Sequence, residues 1–95
     1  MRVWTLLDAR GAPPFEIVLG CELDPNGRVG THRQEHCAEI VVVTEGRGVA
    51  HAGGKRYELT PGTVVPLALG ASLSIENMSG TEPLRYLIIK ALPPA

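Results

Sequence analysis

Four side chains able to hold a metal ion or move a proton stand within eight residues of one another: His32, Gln34, His36 and Glu39, in a segment that reads GTHRQEHCAEIVVVTEG from Gly30 to Gly46. Imidazole and carboxylate together suit divalent first-row metals. Without a metal, a histidine near neutral pH can act as a general base while a carboxylate orients its ring. Glu39 opens an apolar run, so its carboxylate must face solvent or find hydrogen bonds or a cation inside. Taken singly, His32 and His36 are equally compatible with the surface of a polar loop, and Gln34 with an ordinary loop position.

The elements that would position these groups are strands. Glycine and proline break the chain every several residues, from Gly11 to Pro14, Asp24 to Gly27, Glu45 to Gly48, at Gly53 and Gly54, at Pro61 and Gly62, and from Ser79 to Pro83. Between them lie the β-rich runs VWTLL, FEIVLGCEL, EIVVVT, GVAHA, KRYEL, TVVPLAL, SLSIEN and LRYLIIK. No stretch keeps helical periodicity, so seven or eight short strands in an all-β, closed or sandwiched antiparallel architecture are expected. GVAHAGGKRYEL reads as a hairpin turned at Gly53 and Gly54. Strand parity puts Glu39, Val41 and Val43 on one face and Ile40, Val42 and Thr44 on the other. The terminal LPPA reads as a frayed tail.

The spacing of His32, Gln34, Glu39 and Gly46 resembles the first motif of the cupin family, G-x5-H-x-H-x3-4-E-x6-G, with Gln34 where the family has its second histidine. Gly62, Gly70 and Asn77 similarly resemble the second motif, G-x5-P-x-G-x2-H-x3-N, in which Ala68 replaces the proline and Leu73 the histidine. The resemblance implies a double-stranded β-helix, a jelly-roll cupin barrel, formed by one domain over residues 1–95, with motifs at 30–46 and 62–77. It also implies that Glu39, Ala50 and Ala52 look inward, that His51 looks outward, and that two of four metal ligands are lost. His32 and Glu39 would remain, Gln34 could offer a weak amide oxygen, and a bulge could bring His36 inside as a third strong ligand. Mn, Fe, Ni or Zn are the divalent ions such a set would suit. Leu73, Ala50 and Ala52 would give the pocket an apolar wall with polar groups at one end, the usual character of a small-molecule site.

Two functions are consistent with this: a module that binds a small organic ligand, or a cupin-type enzyme, either a metal-dependent oxygenase or isomerase or a metal-free epimerase, working through His32 and Glu39. A sealed barrel serving only assembly would leave the polar cluster without a purpose. The 95 residues, 44% of them hydrophobic, can form a small core. A net charge of -1 and scattered basic residues argue against nucleic acid or a polybasic membrane contact. No stretch approaches the roughly 20 apolar residues needed to cross a bilayer, and two cysteines without a secretion signal read as free thiols, so a cytoplasmic protein is expected. A homodimer is expected from the small core and from the VWTLL strand, which could pair with a second subunit.

Overall fold

In a computed structural model describing residues 1–8 and 10–93, every regular element is a β-strand. The last two residues of the LPPA tail lie outside the described residues. The strands are β1 (Arg2–Leu7), β2 (Phe15–Leu23), β3 (Arg28–Arg33), β4 (Ala38–Glu45), β5 (Gly48–Ala52), β6 (Lys55–Leu59), β7 (Val64–Leu67), β8 (Ser72–Asn77) and β9 (Leu84–Ala91). They form two antiparallel sheets, one ordered β1-β2-β9-β4-β7 and the other β3-β8-β5-β6. From β2 onward the chain crosses between the sheets at every connection except the β5–β6 hairpin, which is the jelly-roll path. No helix among the described residues is long and apolar enough to cross a membrane.

The eight runs read from sequence all form strands, and a ninth, β3, carries His32 within the segment read as a loop. VWTLL pairs with β2 of its own chain, and among the described residues no strand pairs with the other edge of β1. The β5–β6 turn works because Gly53 and Gly54 take φ of +57° and +82°, a region costly for any residue with a Cβ. Gly46 has a second reason to be glycine: a Cβ there would lie 2.5 Å from the Pro83 carbonyl oxygen.

Period-two alternation decides the core. Val41 and Val43 are buried while Ile40 and Thr44 are exposed, and Ala50 and Ala52 are buried on either side of exposed His51. The rows across the larger sheet stack in layers: Ile17, Lys90, Glu39 and Leu67, then Leu19, Ile88, Val41 and Val65, then Cys21, Tyr86 and Val43. Leu73, Ile75 and Leu59 meet these layers from the smaller sheet in one apolar cluster.

At the far end of the sandwich the buried Asn77 amide ties three segments together. Its Nδ2 donates to the carbonyls of Leu23 (3.1 Å), Asp24 (3.1 Å) and Glu82 (2.8 Å), and its Oδ1 accepts from Ser79 N–H (2.9 Å). Each such bond contributes about 1 kcal/mol, and orphaned buried carbonyls cost more. Asn77→Ala is expected to lower stability by about 2–4 kcal/mol, read as a fall in urea midpoint at unchanged m-value. Asn77→Asp should lose as much despite equal size, because a carboxylate cannot donate to the three carbonyls.

Candidate functional site

The candidate ligand positions of the two motifs, His32, Gln34, Glu39 and Leu73, lie toward the end of the sandwich opposite Asn77. β3 and β4 bring them there from different sheets. His32 stands directly across from Leu73 on β8, and Leu73 in turn from Ala52 on β5. Glu39 stands between Leu67 of β7 and Lys90 of β9. The pairing register of β3 breaks between Val29 and His32, so the bulge lies ahead of His32 rather than after it.

Between β3 and β4, the backbone of Gln34 is pinned to the second motif: its N–H donates to Ala71 O (3.0 Å) and its carbonyl accepts from Gly70 N (2.6 Å). Arg33 Nε donates to the Gly70 carbonyl at 2.9 Å. The left-handed φ of Gly70, +87°, lets the chain turn there. The two sequence motifs thus meet as hydrogen-bonded neighbours. Gln34 is buried, whereas His32 and His36 are exposed. His32 Nδ1 lies 3.4 Å from the Gly30 carbonyl.

Glu39 is the unusual member. It is 3% exposed, and neither carboxylate oxygen has a hydrogen-bond partner. Burial pushes its pKa upward, while the charges of Lys90 and His32 pull the other way. The register of β4 and β9 sets Lys90 directly beside Glu39. Deeper in, burial pushes Cys21 up to about 11, with Glu39 adding and Lys90 opposing. A thiol so protonated is a poor nucleophile. Tyr86, paired with Cys21, is also shifted upward, mainly by burial.

Ala50 and Leu73 are fully buried and Ala52 is 4% exposed, so the apolar members belong to the closed core. Concavities of about 360 and 310 Å³ lie elsewhere, one beside Arg47, Glu58 and Met78 and the other on the outer face near His51 and Ser74. Lys90 was not singled out by sequence. Its parity with Leu84, Tyr86 and Ile88 on β9 is the signal that could have found it.

The chain belongs to the cupin family: the family described as "Cupin domain" matches residues 20–90. It is 37% identical over 68 residues to an "Oxalate-binding protein" of Thermotoga maritima, covering 72% of this chain and 55% of that one. It is 34% identical over 86 residues to "Vicilin GC72-A" of Gossypium hirsutum, covering 84% of this chain and 14% of that one. The chain therefore spans only part of both relatives. Among solved structures, a "predicted oxalate decarboxylase" from Thermotoga maritima superposes with a TM-score of 0.87 at 29% identity, over 96% of this chain and 79% of that one. A cupin 2 domain-containing protein from Halorhodospira halophila gives 0.83 at 29% identity, over 95% and 62%.

The residues present do not fit the metal centre implied by the family motif of three imidazoles and a carboxylate. Leu73 offers no donor, and no group of three or more His, Cys, Asp or Glu converges among the described residues. Placing an imidazole opposite His32 should restore affinity: Leu73→His is expected to lower the melting temperature without metal and to recover it on adding Ni or Zn, since an ion bound only to the folded state stabilises it. Equal metal response in both proteins would mean that residue 73 does not face the site.

The raised Glu39 pKa has a signed consequence. The folded chain holds this proton more tightly than the unfolded chain, so the stabilisation is complete below the ordinary carboxylate range and is lost as pH rises through the raised value. Glu39→Gln, neutral at all pH, should melt higher than the unmodified protein at neutral pH, by about 4–8 °C per kcal/mol gained. The gain should shrink toward about pH 4, and a gain independent of pH would contradict the burial of the ionising carboxyl.

Proposed function

We propose that this chain is one cupin domain that binds a small organic acid at a site whose metal ligation has been partly lost. The observation that carries this reading is the buried, unpartnered carboxyl of Glu39 beside the cationic Lys90 and within reach of the charge of His32. A buried polar group without a partner is costly, and a ligand carrying its own polar groups would offset that cost when bound. Lys90 supplies the charge that attracts an acid, His32 and the Gln34 amide supply further polar contacts, and Leu73 with Ala50 and Ala52 closes the apolar floor beneath. The names of two matches from Thermotoga maritima, "Oxalate-binding protein" and a "predicted oxalate decarboxylase", support a small dicarboxylate such as oxalate as the first probe.

The decarboxylase-like neighbour also keeps an enzymatic reading in view, with His32 as base and Glu39 orienting it; a Mn, Fe, Ni or Zn ion at His32, Gln34, Glu39 and His36 belongs to that reading. His36 is exposed and would have to turn inward to serve. We place the domain in the cytoplasm as a homodimer, a location supported by the two buried free thiols, Cys21 and Cys37.

Calorimetric titration with oxalate, with and without a chelator, tests the proposal. Lys90→Met and His32→Ala should each weaken binding by about 10-fold or more, the loss of one hydrogen bond to a charged group, while His51→Ala on the outer face should leave it unchanged. Equal losses from all three would remove the assignment to this end of the sandwich.

A further inference from the structure

The outer face of the smaller sheet carries a hollow built by a fault in its pairing. Val29 stands opposite Ile75 and His32 opposite Leu73, so Gly30 and Thr31 together face the single residue Ser74. Two residues against one make a β-bulge, which bends its strand and re-aims the side chains beside it. The bulge borders a concavity of about 310 Å³ whose walls include Arg28, Thr31, Val49, His51, Ser74 and Glu76. A Cβ built on Gly30 would meet nothing within 4 Å, so the bulge faces open space. Val49 shares the outward parity of His51 yet is only 7% exposed, which makes it a recessed apolar floor.

Three uncharged or weakly basic polar groups surround that floor. Ser74 stands directly across from His51, and Thr31 lies on the bulge opposite Ser74. His51 and Thr31 are exposed and Ser74 is half-buried, so their polar atoms are open to a ligand. A hydroxyl both donates and accepts at one oxygen, and a neutral imidazole donates at one nitrogen and accepts at the other. The two full charges of the hollow oppose each other, with Arg28 Nη2 lying 3.7 Å from Glu76 Oε2. That pair leaves no net charge to attract an ion.

We infer that this hollow is a second binding site, separate from the Glu39 site, and that its ligand is a single neutral sugar ring. β8 and β5 turn Leu73 and Ala52 to the interior and Ser74 and His51 to this outer face, so the two sites lie on opposite sides of one sheet. A pyranose matches the hollow in three ways. Its hydroxyls donate and accept, as the wall groups do; the C–H face of its ring can lie on Val49; and it carries no charge. An organic ion would have to break the Arg28–Glu76 pair to find a partner, and a wholly apolar ligand would desolvate Thr31, His51 and Ser74 without replacing their hydrogen bonds to water. The volume stands at the lower end of small-molecule sites, about 300–1,000 Å³, which suits one ring rather than a chain of them. Among the described residues no Phe, Tyr or Trp lines the hollow to stack on the ring, so a dissociation constant on the order of 1–10 mM is expected for about a dozen non-hydrogen atoms.

Amide chemical shifts of the isotope-labelled chain, titrated with D-glucose, D-galactose and D-mannose to about 100 mM, test the site. At least one of the three should saturate, moving the amides of Gly30, Thr31, His51 and Ser74 while leaving those of Glu39 and Lys90 in place. Thr31→Val and Ser74→Ala should each weaken that sugar about 3–10-fold, the net worth of one hydrogen bond, whereas Arg47→Ala beside the other concavity should not change it. The uronate and the amino-sugar form of the same ring, which add a negative or a positive charge, should bind no tighter than the parent. Where a variant fails to fold, the shift map of the unmodified chain decides. No saturation by any of the three sugars, shifts centred elsewhere, or binding undiminished in both folded variants would overturn the site. A charged form bound about 10-fold tighter than its parent would overturn the neutral ligand.

Discussion

A carboxylate held out of water without a partner constrains this structure more than any other single feature. Glu39 opens the strand β4, whose next inward residues are Val41 and Val43, and it cannot turn outward without flipping that whole set to the wrong face. Its burial is therefore imposed by strand register rather than by local preference. The layers of valine, leucine and isoleucine behind it remove water, and the same removal strengthens its coupling to Lys90, Cys21 and Tyr86. The apolar packing that holds the fold together also sets the electrostatics of the site.

Much of this was legible in residue order because it depends on period two. Alternation groups Glu39 with Val41 and Val43 and sets Ala50 and Ala52 opposite His51, the resemblance to cupins implies which of those faces looks inward, and the hairpin at Gly53 and Gly54 follows from turn chemistry. β3 was not legible, since RVGTHR offers no apolar alternation and becomes a strand only through pairing with β8, 39 to 48 residues away along the chain. Propensity yields to tertiary context in such a segment. Lys90 was missed for a related reason. Its strand was evident, but its neighbour Glu39 is set by sheet order, and the adjacency of β9 and β4 is a property of topology rather than of spacing.

The two sheets are covered unequally. The smaller sheet shows His51, Ser74, Arg56 and Glu58 on exposed or half-exposed positions, as a solvated face should. The larger sheet gathers its charge into the Arg2, Glu22, Arg85 and Glu45 cluster at one end. There the hydrogen bonds from Arg85 and Arg2 hold the Glu22 carboxyl below the usual carboxylate range. Such a cluster ties β1, β2, β9 and β4 together at one end while leaving the rest of the face free of charge. The strands thus fill a core on one side and show apolar side chains on the other.

Leu73 and Glu39 are both buried, one on each sheet. The hydrocarbon of Leu73 opposite His32 offers neither a donor nor a foothold for water. In such surroundings a group that brings a charge or a donor to Glu39 interacts more strongly than it would in an open, hydrated cage. Lys90 is one such group, which the pairing of β9 with β4 places beside Glu39.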